Sequence, residues 1–354
     1  MSIPAPPDLH RAIHPDGAPC PARDDPTPHG DSAGSACSAP GGGDSSAELN
    51  RLNQSGGDRS GDGGDSAALA FSQRVRQSFG RGAPQYDQEA LLQQAMAWRL
   101  ARHCADLPLP DGPCADLGAG TGLLSRALQR HHRQLNQRPP LQLDLCPELL
   151  GRNPLATGPW HHPGPQHQLA PEQLLSPGPL PANGDVLAEN DPLGRLWDLN
   201  DGLPEDLQNA SLLASSFALQ WLNEPIRTLG LWCRGLASGG WLVLALPTAG
   251  SFPQWHRAAE HADVPCTALP LPDAAGLLQA AEASGLSLRH AQRLRFTRHH
   301  QGGLPTLRHL QRLGAGASRR SPLTPIQLRR LLAHWPATSP LTWEVLLLIG
   351  QRRP

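Results

Sequence analysis

The fold is decided by the stretch Ala115-Asp116-Leu117-Gly118-Ala119-Gly120-Thr121-Gly122-Leu123-Leu124. An apolar run that ends in an acid, followed by three glycines at alternate positions, predicts a strand, a tight turn and the start of a helix. Glycines in such a turn let the backbone pass close to a ligand, because no Cβ stands in the way. The pattern therefore indicates either a cofactor-binding loop or an ordinary glycine-rich turn between a strand and a helix.

The spacing of the three glycines separates the cofactor classes. A dinucleotide fingerprint requires its third glycine three positions after the second, and Leu123 stands there. A phosphate loop requires a lysine, and all 30 Lys and Arg residues are arginines. Gly-x-Gly-x-Gly after an acid resembles motif I of the class I S-adenosylmethionine (SAM)-dependent methyltransferases. That resemblance implies SAM as the cofactor, bound by Asp116, Gly118, Gly120 and Gly122.

Composition restricts the classes of partner. A net charge of -1 offers no basic excess to nucleic acid or a membrane surface. No uninterrupted apolar run approaches the ~20 residues needed to cross a bilayer. The cysteines are scattered without a Cys-x-x-Cys pair, so neither a disulfide framework nor a zinc knuckle is predicted. We therefore expect a cytoplasmic protein without nucleic-acid or membrane partners.

Two segments are too rich in Pro and Gly to belong to a packed core. Residues 1–67 cannot bury enough apolar surface to offset their chain entropy, so we predict a disordered extension before a single domain at 68–354. Residues 152–195 exceed the ~12–15 residues of an ordinary loop and predict a flexible insertion. Its residues His161, His162 and His167 lack a Cys or Glu at a ligand spacing. A solvated loop is therefore favoured over a metal site, and no metal is predicted.

Strand and helix patterns alternate after the glycine-rich stretch. Apolar runs predict strands at 141–145, 210–216 and 241–246, with helical patterns between them. The alternation indicates an α/β fold, with a parallel sheet and helices on both faces. Ligands of such sheets lie beyond the carboxyl ends of the strands, so Asp144 could accept hydrogen bonds from ribose hydroxyls. Asp198 or its neighbouring backbone could meet an adenine amino group; the alternative for both acids is a solvated carboxylate.

Several separated segments carry a resemblance to one family. They lie at 79–86, 116–122, 143–150, 215–221, 250–253, 307–315, 323–336 and 340–343, and the most specific are Gln220-Trp221, Gly250-Ser251-Phe252-Pro253, Gly314-Ala315 and Trp335-Pro336. Together they resemble the malonyl-acyl-carrier-protein O-methyltransferases of biotin synthesis, usually called BioC. The chain departs from that family at Ala119, where Cys is usual, and at Ser216, where Asn is usual.

The resemblance implies a fold and a reaction. The fold would be Rossmann-like and of the class I methyltransferase type, with a mostly parallel seven-stranded sheet flanked by helices. The reaction would move the methyl group of SAM to the free carboxylate of malonyl-acyl carrier protein, which leaves S-adenosylhomocysteine. A carboxylate with a pKa near ~4 is already ionised at neutral pH, so this reaction requires no general base.

The resemblance and the chemistry together name the site residues. The family's amino-terminal segment implies that Tyr86 closes over the reacting methyl group, whereas Arg308 is a candidate for bidentate binding of the carboxylate, or else an ordinary surface arginine. The matching segments add Leu145 and Ser215 as cofactor contacts. They also add three substrate contacts, which are Phe79, Gln220 and Trp221.

Acyl carrier proteins are acidic, so a docking surface should present arginines. The sequence offers six in one region: Arg295, Arg298, Arg308, Arg312, Arg319 and Arg320. Two alternatives stay open at this stage. One is a class I methyltransferase for another small acid or amine, and the other is a non-catalytic module that binds SAM.

Overall fold

The computed structural model describes residues 61–156 and 193–354. These ranges contain one mixed sheet with strands β1 (Cys114–Leu117), β2 (Leu141–Asp144), β3 (Gly194–Leu196), β4 (Ala210–Ser216), β5 (Leu236–Pro247), β6 (Leu286–His299) and β7 (Pro340–Arg352). The helices of the same ranges are α1 (Gly61–Gly82), α2 (Tyr86–Glu89), α3 (Leu91–His103), α4 (Leu123–His131), α5 (Arg133–Gln137), α6 (Pro147–Leu150), α7 (Pro225–Gly235), α8 (Pro253–His261), α9 (Ala274–Ala283), α10 (Gly303–Arg312) and α11 (Pro325–Ala333).

The strand order across the sheet is β3-β2-β1-β4-β5-β7-β6. Strands β1 to β5 run parallel to one another, and β7 is antiparallel to both β5 and β6. The chain leaves β1 towards one edge of the sheet and returns to its other side at β4. Ligands of open α/β sheets bind at such a reversal, beyond the carboxyl ends of the strands. The predicted Rossmann-like class I methyltransferase fold, with its mostly parallel seven-stranded sheet, is confirmed.

Helices cover both faces of the sheet because successive strand residues point to opposite sides. Leu212 on β4 joins the core formed with Leu100 of α3 and Leu128 of α4. Its neighbour Leu213 joins the opposite core, which contains Trp232 of α7. The central strands are buried on both sides, as expected for a parallel sheet between two helical layers.

A further layer lies outside the sheet. Trp255 on α8, Leu310 on α10, Leu331 on α11 and Trp335 form a separate apolar cluster. Helix α10 ends beside the end of α1, where a Cβ on Gly314 would approach the Phe79 ring to 2.7 Å. The backbone of Gly314 has φ +79°, which a glycine adopts without strain. This close crossing fixes α10 against the segment that precedes Tyr86.

Two local features differ from the simplest interpretation of the sequence. Gly239-Gly240 has the composition of a turn but lies inside β5, where the pairing shifts between Ala210 with Leu236 and Leu212 with Trp241. The β5 residues between these pairs form an irregularity that the glycines accommodate. The short helices α2, α5, α6, α8 and α11 were not expected, and α6, α8 and α11 each begin with a proline.

The ends of the predicted extension and of the predicted insertion lie within the described residues. Helix α1 begins at Gly61 and so includes the last residues of the predicted extension, whereas residues 1–60 lie outside the described ranges. Strand β3 includes the last two residues of the predicted insertion, and residues 157–192 with His161, His162 and His167 also lie outside. Among the helices that are described, none has the length and apolar character needed to cross a membrane.

Candidate active site

The glycine-rich loop turns at the carboxyl end of β1. Gly118 has φ +77°, and a Cβ there would collide with the Cβ of Ala218, which follows β4. Only glycine satisfies both conditions, because other residues resist this conformation and carry the Cβ that collides. The loop backbone therefore lies directly against the residues after β4 and leaves the space above the strand ends open.

Asp144 holds this loop from the end of β2. Its Oδ2 accepts a hydrogen bond from the Gly120 backbone at 2.7 Å, and its Oδ1 accepts one from the Cys146 backbone at 2.7 Å. Burial raises the pKa of the carboxyl to about 6, against the effect of these hydrogen bonds. Each carboxylate oxygen can accept a second bond, so Asp144 retains capacity for ligand hydroxyls.

Asp116 lies beneath the loop, with only 1% of its surface exposed. Its Oδ2 accepts from Ser125 Oγ at 2.7 Å, and its Oδ1 is buried without a hydrogen-bond partner among the described residues. Burial raises its pKa to about 7, a hydrogen bond from Ser125 opposes the rise, and the charge of Asp144 adds to it. Asp116 thus lies under the glycine loop and away from the open space.

The open space above the strand ends is called here the cofactor cavity. Five of the predicted cofactor contacts line it, namely Gly118, Gly120, Asp144, Leu145 and Asp198. Three predicted contacts, Asp116, Gly122 and Ser215, are not among its lining residues. The Ser215 hydroxyl instead donates to the Leu117 carbonyl at 2.7 Å and ties β4 to β1. Its neighbour Ser216 lines the cavity in its place.

Sequence reasoning missed several residues of the cofactor cavity. Cys146 and Leu149 line it from α6 and its start, and their position just after Asp144 could have indicated them. Asn200 lines it as well and donates to Asp198 Oδ1 at 2.8 Å and to Ser72 Oγ at 3.1 Å. Ser72 comes from α1, and no sequence signal connects it with residues more than a hundred positions away.

The lining of the cofactor cavity fits a nucleoside-type cofactor such as SAM. Asp144 offers an acceptor at the end of β2, and the glycine backbone leaves room for a bulky group. Leu145, Leu149 and Trp197 supply apolar surface for a base. The buried Ser216 hydroxyl has no partner among the described residues and lines the same space. Such an orphaned group is satisfied when a ligand is bound.

A second cavity of about 500 Å³, called here the substrate cavity, adjoins the first. It is enclosed by α1, α8, α10, α11 and the segment after α10. Its charged lining residues are all arginines, Arg74, Arg81, Arg308 and Arg320, and no Asp, Glu or His contributes among the described residues. The wall around an occupant is therefore positively charged and contains no titratable base.

Four aromatic residues line both cavities: Phe79, Tyr86, Phe217 and Trp221. The Phe79 ring meets the Trp221 ring edge to face at 5.4 Å and the Tyr86 ring at 6.2 Å. Phe217 has φ 58°, a left-handed conformation that costs a non-glycine residue ~1–3 kcal/mol and is typical of functional sites. These rings form the partition between the two cavities.

Tyr86 remains neutral at this partition. Burial, followed by the charges of Asp144, Asp87 and Asp116, raises its pKa well above the usual range of a phenol. The hydroxyl is therefore a hydrogen-bond donor at physiological pH and cannot act as a base. A neutral donor on an aromatic ring can orient an acceptor oxygen while it excludes water.

Gln220 lies behind the partition and is 4% exposed. Its Nε2 donates to the Phe217 carbonyl at 2.7 Å, which fixes the strained backbone of that residue. Its Oε1 is buried without a partner in the described part of the chain, and the residue lines the substrate cavity. The predicted substrate contacts Phe79, Gln220 and Trp221 are thus all brought to this wall.

The six arginines expected on one docking face have different surroundings. Four are engaged within the fold: Arg295 pairs with Glu344, Arg298 contacts His309, Arg312 pairs with Glu89 and Arg319 bonds the Leu222 carbonyl. Arg308 and Arg320 are exposed and line the substrate cavity, and neither makes an ion pair with another described residue. The positive charge available to a ligand is therefore at the cavity.

No cluster of three or more His, Cys, Asp and Glu side chains within 61–156 and 193–354 is arranged to hold a metal ion. The three histidines of the insertion fall outside these ranges.

The chain has relatives among known proteins. No family model matches it. It is 28% identical over 265 residues to the biotin biosynthesis bifunctional protein BioCD of Bordetella avium, covering 74% of this chain but 48%, about half, of that protein. It is 28% identical over 296 residues to a malonyl-[acyl-carrier protein] O-methyltransferase of Alcanivorax borkumensis, covering 78% of this chain and 86% of that protein.

Among solved structures, a methyltransferase of Bacillus halodurans aligns with a TM-score of 0.45 at 12% identity, covering 73% of this chain and 99% of that one. The fold assignment rests on the strand order and not on this score. Both of these sequence matches extend over most of the chain. The resemblance predicted from the separated motifs is confirmed: the chain is related in sequence to the malonyl-acyl-carrier-protein O-methyltransferases.

Proposed function

We propose that this protein is a SAM-dependent carboxyl methyltransferase that converts malonyl-acyl carrier protein to its methyl ester for biotin synthesis. The observation that carries the proposal is the lining of the substrate cavity, whose charged residues are all arginines. An arginine-lined space next to a cofactor cavity favours an anionic acceptor. The names of the sequence relatives agree with this choice of acceptor.

The absence of a base among the described lining residues favours a carboxylate over an amine or a hydroxyl. An ammonium group or an alcohol must lose a proton before it attacks a methyl group, and a carboxylate does not. Tyr86 cannot remove that proton, because its own pKa is raised. The chain's task is then to align the carboxylate oxygen and to exclude water.

The cofactor supplies an electrophilic methyl group attached to a positively charged sulfur. Asp144 would hold the ribose hydroxyls, and the loop at Gly118 and Gly120 would lie beneath the amino-acid part. Asp198 and Leu145 would contact the base. These assignments rest on the positions of the residues around the cofactor cavity.

The residues at the partition and on α10 would orient the acceptor. Arg308 would bind the malonyl carboxylate through two parallel hydrogen bonds, since its guanidinium has no ion-pair partner within the described ranges. Tyr86 would close over the reacting methyl group, with Phe79 and Trp221 excluding water on either side. Gln220 would hold this wall through Phe217.

The carrier protein would dock at the mouth of the substrate cavity. Arg308 and Arg320 supply charge there, and the exposed side chain of Leu304 supplies apolar contact. Electrostatic docking is weakened by salt, because mobile ions screen exposed charges. Activity on the malonyl carrier protein should therefore fall more steeply with salt than activity on a malonyl thioester of a small thiol. Equal salt sensitivity of the two activities would show that these arginines do not dock the carrier protein.

Incubation with methyl-labelled SAM and malonyl-acyl carrier protein tests the proposal. We expect label on the carrier protein that alkali releases, as from a methyl ester. Label on free small acids or amines, with none on the carrier protein, would instead identify another class I methyltransferase. Cofactor binding without any turnover would identify a non-catalytic SAM-binding module. Arg308→Ala is the matched control, because it should lower the rate of ester labelling by about 10- to 100-fold while leaving cofactor binding intact.

A further inference from the structure

Helix α2 contains Tyr86 and is a single turn of four residues. Isolated helices of this length are not stable, because one turn fixes many dihedral angles for few hydrogen bonds. Its N-cap residue Gln85 provides no side-chain hydrogen bond. Helix α2 continues from α1 through the 3-10 turn Ala83–Gln85, so contacts that other residues of α2 make with the surrounding walls help to fix the position of Tyr86.

Asp87 attaches α2 to the wall of the cofactor cavity. Its Oδ1 accepts a hydrogen bond from Thr121 Oγ1 at 2.6 Å, and Thr121 belongs to the glycine-rich loop. Its Oδ2 lies 3.6 Å from Arg126 Nη2 on α4. Gln94 on α3 also donates to the Asp87 backbone carbonyl. One end of α2 is thus connected to the glycine-rich loop that lines the cofactor cavity.

Glu89 attaches α2 to the wall of the substrate cavity. Its Oε2 lies 2.7 Å from His309 Nδ1, and its Oε1 accepts from Arg312 Nε at 2.6 Å. Both partners lie on α10, the helix that also presents Arg308. The Glu89 side chain is 19% exposed and that of His309 is 8% exposed, so the contact between these two is largely shielded from solvent, whereas Arg312 is 48% exposed. Largely shielded, charge-assisted hydrogen bonds of this kind are among the stronger ones in proteins.

The hydrogen bonds of His309 also define its tautomer. Nδ1 faces the Glu89 carboxylate and must donate, whereas Nε2 lies 3.2 Å from the Arg298 guanidinium and must accept. This requires a neutral imidazole. Burial lowers the pKa of His309, and the charges of Arg298 and Arg312 lower it too, against the opposing effect of Glu89. The network is therefore fully connected at neutral pH.

From this geometry we infer that Asp87 and Glu89 are positioning residues, which hold Tyr86 at the partition by anchoring α2 to both cavity walls. The inference rests on the proposed function, since it concerns where Tyr86 stands during methyl transfer. Neither carboxylate belongs to the lining of either cavity, so neither contacts a ligand. Their effect on the reaction would pass through Tyr86.

Asp87→Asn and Glu89→Gln test the inference, with Asp111→Asn and Glu260→Gln as matched exposed controls. Each anchor variant should lower kcat by about 10-fold, the loss expected when a positioned group is displaced. KM for the malonyl thioester and the affinity for S-adenosylhomocysteine should change by less than about three-fold, because the ligand contacts remain. An unchanged kcat in both anchor variants would overturn the inference.

A double-mutant cycle separates positioning from general destabilisation. In a Tyr86→Ala background, Glu89→Gln should lower kcat by less than about two-fold, because no side chain is left to position. The same 10-fold loss in both backgrounds would assign Glu89 a purely structural role. Hydrogen exchange of the 86–95 backbone should accelerate in each anchor variant and not in the controls, and unchanged exchange would also overturn the inference.

The exchange measurement keeps the two proposals distinguishable. If the wild type forms no methyl ester but exchange still accelerates in the variants, the proposed function fails while the anchoring of α2 stands. If the wild type forms the ester and the variants match it in both kcat and exchange, the positioning role alone fails.

Discussion

The two cavities are built in different ways. The cofactor cavity is built on the glycine loop and the carboxyl ends of β1, β2 and β4, with buried acids beneath the loop, and residues of α1 and several aromatic rings complete its lining. The substrate cavity is formed by helices outside the sheet, and its charged residues are arginines. Backbone geometry dominates the first, whereas side-chain charge dominates the second. Substitutions in the two cavities should therefore impair ligand binding by different mechanisms.

The largest expected effect is that of Gly118→Ala. The added Cβ collides with Ala218, and the left-handed backbone costs a further ~1–2 kcal/mol. We expect S-adenosylhomocysteine binding, measured by calorimetry, to fall by more than about 100-fold. Gly202→Ala is the matched control, because Gly202 has φ +93° and open space around its Cβ. Equal losses in the two variants would show that backbone strain, and not the collision, matters.

Arg308→Ala should impair the substrate cavity without affecting the cofactor cavity. Loss of a charged hydrogen-bond pair costs ~1.5–3 kcal/mol, so kcat/KM for the malonyl substrate should fall by about 10- to 100-fold. Cofactor affinity should stay within about two-fold, since Arg308 does not line the cofactor cavity. Arg329→Ala is the control, because Arg329 is exposed on the neighbouring α11 and lies outside the lining. A comparable loss in that variant would indicate a diffuse electrostatic effect.

The buried acids of the first cavity predict a pH dependence of stability. Asp116 has a folded-state pKa of about 7 against ~3.9 in the unfolded chain. Between these values the folded state keeps a proton that the unfolded state has released, so stability falls as pH rises and levels off above about 7. The slope from this group is at most ~1.4 kcal/mol per pH unit.

Asp116→Asn should flatten this slope in thermal unfolding measured from pH 4 to pH 8. The exposed Asp111→Asn variant should retain the wild-type slope. An Asp116→Asn variant with the wild-type slope would show that the proton is held elsewhere, with Asp144 as the next candidate because its pKa is raised to about 6.

The smallest effect separates two adjacent serines of β4. Ser215→Ala removes the hydrogen bond to Leu117 and should lower the free energy of unfolding by ~1 kcal/mol, with cofactor affinity unchanged. Ser216→Ala should leave stability unchanged and weaken cofactor binding by a few-fold, because its hydroxyl lines the cavity without another partner among the described residues. If Ser215→Ala weakened cofactor binding and Ser216→Ala lowered the free energy of unfolding, Ser215 would be the cofactor contact.

The sequence by itself determined the glycine loop and the acid beside it, although not the whole lining of the first cavity. The glycine spacing and the acid that follows the next strand fix the conformation of the loop, because positive φ and close backbone approach demand glycine at particular positions. Gly118, Gly120 and Asp144 therefore lie where they were expected. Ser215 and Ser216 differ because successive strand residues point to opposite faces, so the Ser215 hydroxyl meets the neighbouring strand whereas Ser216 lines the cavity.

Only the tertiary structure decided the second cavity. Arg308 and Arg312 lie on one short helix, yet one lines the cavity while the other pairs with Glu89, more than two hundred residues away in the chain. Which arginine is free depends on what packs against each face of α10, and local sequence does not contain that information. The anchoring of Tyr86 by Asp87 and Glu89 has the same origin. Long-range packing determines these partners, and the partners determine which arginines remain to charge the substrate cavity.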